Sequence, residues 1–488
     1  MSFNVVSEVA SKNRCIGCGV CTAICPQSVL QMHLAPSSNY EVRQIPGCDE
    51  RCDLCLKVCP FYQKDGFEDA LNRKIYADLP NQSGDFAKFL NTYEFYKKDE
   101  AQRLSSASGG AGNFIFNALF ENRLIDYAIC AQSVDSASSC APQSTTMVQD
   151  ATEPQGTSAA QNFKEGAPQN SKERRDAPQN LEWNSHASQN LEQNRDAALF
   201  KFAVIKSAGE LERTKKSAYY PLSLDEALKF IAAHDGAYAI SALPCFAKAL
   251  RLICEKNRRI KSRVKFIIGL VCGQSKSANF ARKLANNAFG EEVNLASVDF
   301  RHKIAGASAM SFGFKFRDAR GREAVDDRGS SAELYWSSRA FTPLACNRCV
   351  DVFAKCADAV LMDAWLSPQV RDFRGSSLVI TRDSRIDLLF KNSGEFCESI
   401  SPALVQSSQQ SVVDTKNEIF YGTKNPLKKY IYKLKFEIQN ESARSFDCDD
   451  FIAVRVRKIR RVARILAYFA TAKFLLGKLA GKLKRKNG

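Results

Sequence analysis

The stretch Cys15-Ile16-Gly17-Cys18-Gly19-Val20-Cys21-Thr22-Ala23-Ile24-Cys25-Pro26 decides how the chain must begin to fold. Its spacing is C-x2-C-x2-C-x3-C-P. It returns with one residue added in the first gap, as Cys48-x3-Cys52-x2-Cys55-x3-Cys59-Pro60. Three thiolates on one tight loop can reach three irons of a cubane, while the fourth ligand has to come from elsewhere, so the last cysteine of each run serves the other run's cluster. The spacing therefore predicts two [4Fe–4S] clusters, one on Cys15, Cys18, Cys21 and Cys59, the other on Cys48, Cys52, Cys55 and Cys25. Pro26 and Pro60 turn the chain after each crossing ligand. A pair of zinc sites is the competing reading, but zinc rarely takes four-cysteine runs that end in Cys-Pro.

The rest of the composition agrees. There are 18 cysteines in 488 residues and only 4 histidines, His33, His186, His234 and His302, so zinc–histidine chemistry has little to work with. The opening MSFNVVSEVASKNRC lacks the apolar core of a secretory signal, so the cysteines are expected in a reducing cytoplasm as metal ligands rather than disulfides. The length predicts two or three domains.

Residues 1–62 form the cysteine module, and 63–100 read as a polar connector ending in the helix-like YEFYKKDEAQ. A glycine turn, Ser108-Gly109-Gly110, then opens the apolar helical run NFIFNALFENRL, followed by a strand near Ile125–Ile129. From 131 to 198 the composition collapses into Ser, Gln, Asn, Ala and Pro with a degenerate APQN-like unit, the signature of a disordered insertion, and Cys140 within it has no expected role. Order resumes at FKFAVIKS and alternates through LDEALKFIAAH, AYAISALP, FAKALRLICEK and VKFIIGLV. Such alternation predicts a parallel or mixed sheet covered by helices, with functional loops at the strand ends. Cys245 and Cys272 each end a strand-like segment, and Cys346-Asn347-Arg348-Cys349 follows. On spacing alone two readings stand: a four-thiolate site on one sheet rim, or small buried hydrophobes at Cys245 and Cys272 beside a separate CxxC. Cys356 is either a substitute ligand or a bystander.

These residues together resemble the coenzyme F420 hydrogenase/dehydrogenase beta-subunit family, in the form that carries a fused N-terminal two-cluster ferredoxin domain. The anchors are Ser108-Gly109-Gly110, Leu243-Pro244-Cys245, Val271-Cys272-Gly273, Phe300-Arg301-His302-Lys303, Cys346-x2-Cys349, the run from Ala357 to Trp365, and Gly375-Ser376-Ser377-Leu378-Val379. The resemblance implies an FAD-binding α/β domain with a third [4Fe–4S] cluster on Cys245, Cys272, Cys346 and Cys349. It places Ser108, Gly109 and Gly110 against the flavin, where a side chain would block close approach. Arg301 and Lys303 would hold the flavin pyrophosphate or an anionic substrate, with a solvated surface as the plain alternative. Lys215, Lys216 and Ser217 stand where the family has a Ser/Thr-Lys-Tyr element, and Met362 replaces the family's usual glycine before Asp363. No catalytic residue is singled out.

The expected architecture is thus an α+β two-cluster ferredoxin domain (1–62) followed by an α/β mixed-sheet flavin and iron–sulfur domain (101–130 and 199–395). A linker region (396–450) and a basic amphipathic helical tail (451–488) complete it. The expected function is an iron–sulfur flavoprotein oxidoreductase, taking a small-molecule substrate or a redox partner protein. The alternative is a non-catalytic ferredoxin-type electron-carrier subunit serving a partner enzyme. Of the formal charge of +16, most belongs to the tail, which holds twelve Lys or Arg and no acid from Phe451 onward. Such a helix suits an anionic membrane surface, at the inner face of the membrane, better than nucleic acid, which has no use for its leucines.

Overall fold

The computed structural model describes residues 3–64, 66–134, 198–214, 216–327 and 329–486. The predicted insertion, with Cys140, and also Lys215 lie outside the described residues, apart from the insertion's edges.

The cysteine module is built from short helices, among them Val20–Ile24 and Leu54–Lys57, around the hairpin β1 (Leu30–Leu34) and β2 (Tyr40–Gln44). A smaller hairpin, β3 (Asn81–Ser83) and β4 (Ala87–Phe89), leads into β5 (Asn91–Tyr96). Five further strands follow: β6 (Tyr127–Ser133), β7 (Phe200–Ile205), β8 (Tyr238–Ala242), β9 (Val264–Leu270) and β10 (Leu295–His302). β10 pairs with β11 (Gly313–Asp318), and β11 with β12 (Glu323–Asp326), in a separate antiparallel sheet. β13 (Ala359–Asp363), β14 (Ser377–Thr381) and β15 (Phe396–Ser399) complete the main sheet, whose order is β15-β5-β14-β13-β9-β8-β6-β7.

Its centre, β13-β9-β8-β6, is parallel. Those strands are apolar almost throughout, as strands covered on both faces must be: Ile267, Ile268, Ala359 and Val360 are fully buried. The carboxyl ends of β8, β9 and β13 lead directly to Cys245, Cys272 and Asp363, one rim of the sheet.

The cysteine module is not a separate bead. Its Cys18, Val20 and Val58 share one hydrophobic cluster with Ile129, Leu224, Leu228 and Ile240 of the α/β part. Gly19, at φ +77°, makes this contact possible, since a Cβ there would stand 2.3 Å from Ser223 Oγ and 2.7 Å from the Asp225 nitrogen.

Four sequence expectations change. The connector at 63–100 contributes β5, which sits inside the main sheet between β14 and β15. The helix-like YEFYKKDEAQ is strand through Tyr96, and helix begins only at Glu100, because Tyr93 and Phe95 alternate into the core. The expected linker at 396–450 is mostly helix, Pro402–Tyr421 and Pro426–Arg444. The insertion's boundary also moves: β6 runs to Ser133 and pairs with β7 up to Phe200.

A final helix spans Asp449–Lys486. Phe451, Ile452, Val456 and Ile459 pack against the β10–β11 sheet cluster, whereas Tyr468 and Phe469 are 72% and 61% exposed. No helix among the described residues is long and apolar enough to cross a membrane.

The Val134 amide donates to the Leu199 carbonyl at 2.8 Å, so the two chain ends flanking residues 135–197 already stand side by side. Replacing 135–197 by an Asn-Gly turn should close a plain β6–β7 hairpin. The thermal midpoint is expected to move by less than about 3 °C. Loss of cooperative unfolding in the shortened chain would contradict this.

Candidate iron–sulfur and cofactor sites

No described cysteine forms a disulfide. Cys15, Cys18, Cys21 and Cys59 line one cavity, walled by Val5, Val9, Ile16, Met32, Val58 and Phe61. Burial pushes the Cys18 thiol up to about 12 and raises Cys15, Cys21 and Cys59 as well, with Cys21 further raised by Cys18, Cys15 and Cys59 around it. Backbone amides of Gly17 and Val42 act in the opposite direction on Cys15, and those of Phe61 and Tyr62 on Cys59. A thiolate buried in apolar surroundings with amides aimed at it is the environment a metal cluster relieves. The other run brings Cys48, Cys52 and Cys55 together: burial raises the Cys55 thiol first, and Cys52 and Cys48 add to it. Asn4 Nδ2 donates to Cys48 Sγ at 3.6 Å, and Cys25 caps the Val20–Ile24 helix.

Cys245, Cys272, Cys346 and Cys349 converge on a second thiol-lined cavity. They arrive on three supports. Cys245 sits in the first turn of the helix Pro244–Lys256, begun by a proline at its first position, so the positive end of that helix faces the thiol. The Cys272 amide donates to the Val352 carbonyl at 3.2 Å, just past the end of β9. Cys346 lies on the turn Leu344–Arg348, and Cys349 ends it. Burial raises the Cys245 thiol well above its ordinary value, and Cys349, Cys272, Cys346 and Cys18 raise it further. The effect of Cys18 and the shared walls Ile16 and Phe61 make this cavity the neighbour of the first. Among the described residues no group of three or more His, Cys, Asp or Glu is gathered tightly enough for a single metal ion. Thiolates that each take a different iron of a cubane need to stand farther apart than the ligands of one ion.

Residue spacing offers no hint of what holds this second cavity. Lys416, from the supposed linker, is buried and donates from Nζ to Cys349 Sγ at 3.3 Å, to the Cys272 carbonyl at 3.2 Å and to the Asp351 carbonyl at 2.6 Å. Burial alone would lower this lysine, but the Cys349 and Cys272 thiols beside it hold it above its ordinary value. The Ser275 amide donates to Cys346 Sγ at 3.5 Å. Gln439 donates to the Thr342 and Pro343 carbonyls, each at 3.0 Å, and accepts from Asn347 at 2.8 Å, fixing the loop that carries Cys346. Cys356 is fully buried in the apolar core and does not line the cavity.

Of the residues expected at a flavin, Ser108, Arg301 and Lys303 come together around a third, narrow cavity with Phe312, Asp363, Trp365 and Gly375. Arg301 is buried, pairs with Asp363 Oδ1 at 2.8 Å and lies 3.9 Å over the Phe312 ring. Lys303 Nζ donates to the carbonyls of Arg103 (2.6 Å), Ser108 (2.9 Å) and Arg374 (2.5 Å), tying the Ser108 loop to the Gly375 loop. Burial, with Lys216, Arg103 and Arg301 nearby, pushes Lys303 down to about 7. Lys216 pairs with Asp299 at 3.1 Å.

The glycines answer to a different neighbour than expected. A Cβ on Gly109 would stand 2.5 Å from the Phe95 carbonyl oxygen and 2.7 Å from the Ser377 nitrogen, so this glycine is required by the sheet itself. Gly110, at φ +93°, starts the helix Ala111–Glu121. Neither lines the cavity, whereas Ser108 does.

Compared with known proteins, residues 235–397 match the family model for the C terminus of the coenzyme F420 hydrogenase/dehydrogenase beta subunit. Residues 9–31 match the 4Fe-4S binding domain. No curated protein matches the chain. Among solved structures it is similar to a chain of the F420-reducing [NiFe] hydrogenase complex from Methanosarcina barkeri, studied as a xenon derivative. Identity there is 13% over 70% of this chain and 93% of that one, with a TM-score of 0.41. By these two matches, residues 235–397 are similar to the C-terminal domain of coenzyme F420 hydrogenase/dehydrogenase beta subunits, and residues 9–31 to a 4Fe-4S binding domain.

Proposed function

We propose that the chain is an iron–sulfur flavoprotein oxidoreductase with three [4Fe–4S] clusters and one FAD. Cys15, Cys18, Cys21 and Cys59 would hold the first cluster, Cys48, Cys52, Cys55 and Cys25 the second, and Cys245, Cys272, Cys346 and Cys349 the third. The observation that carries this reading is the pair of thiol-lined cavities with Ile16 and Phe61 as common walls. Ligand sets placed back to back across two apolar side chains suit electron exchange, and purely structural metal sites have no need of such an arrangement.

The Ser108 cavity joins the cationic Arg301 to the aromatic Phe312 and Trp365, a combination of polar and apolar walls that suits the edge of a cofactor. A flavin held there would supply conversion between two-electron and one-electron chemistry. Arg301 places positive charge on its wall, fixed in position by Asp363, while Lys303 ties together the loops that frame it. The Pro402–Tyr421 helix ties this cavity to the third cysteine set. Ser408 and Gln409 donate to the Asp363 carbonyl at 3.3 and 3.1 Å, and Lys416 lies seven residues on, about 10 Å along the axis.

Anaerobic purification with iron, sulfide and flavin quantitation tests the reading. About twelve irons and one FAD per chain are expected. Cys59→Ser should remove about four irons, those of the first cluster, and leave the cluster on Cys48, Cys52 and Cys55. About eight irons in the unmodified protein would eliminate the third cluster. Full iron without flavin would favour the alternative, an electron-carrier subunit serving a partner enzyme.

The tail supports a further part of the proposal, attachment to an anionic membrane surface. Arg457, Arg460, Arg461 and Arg464 lie on the same helix as the exposed Tyr468 and Phe469, a combination that suits the interface between headgroups and acyl chains. Co-sedimentation with anionic liposomes should be lost when the chain ends near Asp450. Equal binding by the full and shortened chains would remove the tail from consideration.

A further inference from the structure

We propose that Lys416 sets the reduction potential of the cluster on Cys245, Cys272, Cys346 and Cys349, raising it so that electrons reaching the cysteine module move on to this site. The inference rests on the three-cluster reading above.

Lys416 is 4% exposed. Two of its hydrogen bonds go to backbone carbonyls and the third to Cys349 Sγ. A buried ammonium is costly unless it meets an opposite charge; the charges that meet Lys416 are the thiols of Cys349, Cys272 and Cys346 and the Asp351 carboxylate, and of these it donates directly to Cys349 Sγ. A cluster becomes more negative on reduction. A fixed cation that also donates to a ligating sulfur therefore stabilises the reduced form more than the oxidised one and raises the potential.

The first cavity differs. Its walls are Val5, Val9, Ile16, Met32, Val58 and Phe61, and its cation, Arg14, is only half-buried. Two neighbouring sites with similar ligands thus differ in buried positive charge, which orders their potentials. Nothing in sequence spacing could reveal this, because Lys416 lies 67 residues beyond Cys349.

The test is an anaerobic redox titration of the full chain followed by electron paramagnetic resonance, with Cys245→Ser identifying the third cluster's signal. Lys416→Met preserves side-chain length and removes the charge. At the potential where the unmodified third cluster is half reduced, the variant's ratio of reduced to oxidised third cluster should fall about tenfold, equivalent to about 59 mV for a one-electron couple. The N-terminal clusters should hold their midpoints, and Lys416→Arg should stay within about threefold of the unmodified ratio, as a retained charge requires. An unchanged third midpoint in Lys416→Met overturns the proposal. So does loss of the third signal in both Lys416→Met and Lys416→Gln, which would make Lys416 a residue for retaining the cluster. Absence of a third signal from the unmodified protein would sink the three-cluster reading itself.

Discussion

The arrangement depends on one contact, the Cys18 carbonyl accepting from the Leu224 amide at 3.0 Å beside a glycine that has no side chain to keep the two backbones apart. This contact seats the cysteine module on the α/β unit and carries Cys18 into the environment of Cys245. It also explains why the hydrophobic cluster runs unbroken from Val20 to Ile240. A tethered module without such a contact would leave its thiols at a variable distance from the sheet rim. Gly19 therefore serves electron transfer by permitting approach, although it binds nothing itself.

The second requirement is to hold four cysteines from three separate segments around one cavity. Apolar packing is poorly suited to this, since it fixes volume but not direction, whereas hydrogen bonds to backbone carbonyls fix both. The structure uses Lys416, Gln439 and the Ser275 amide for the purpose. The same device appears at the Ser108 cavity, where Lys303 spans three carbonyls and Ser408 and Gln409 hold the end of β13. Both sites are thus secured by buried polar side chains.

That choice explains which features are legible in the sequence and which are not. The cysteine runs are legible because cluster chemistry fixes their spacing locally, and the strands AYAISALP and VKFIIGLV because doubly covered strands must be apolar. The helices Pro402–Tyr421 and Pro426–Arg444 read as a linker because their buried positions include Ser408, Gln409, Lys416, Gln439 and Ser442, which break the apolar stripe that marks a packed helix. The segment Asn91–Tyr96 carries a misleading helical signal from the charged residues after it, and its strand identity comes from partners far away in sequence, β14 and β15. The glycine turn stands where its sequence places it, but the neighbour that forbids a side chain at Gly109 is the backbone of Phe95 and Ser377, and no local pattern could name it.

A third cluster next to the first, on the sheet rim that also carries the Ser108 cavity, would be located by anomalous X-ray scattering at the iron edge from crystals grown without oxygen. Three four-iron peaks are expected, one of them enclosed by Cys245, Cys272, Cys346 and Cys349 and separated by Ile16 and Phe61 from the peak enclosed by Cys15, Cys18, Cys21 and Cys59. Two peaks confined to the cysteine module, with Cys245 and Cys272 bearing no iron, would contradict the three-cluster arrangement.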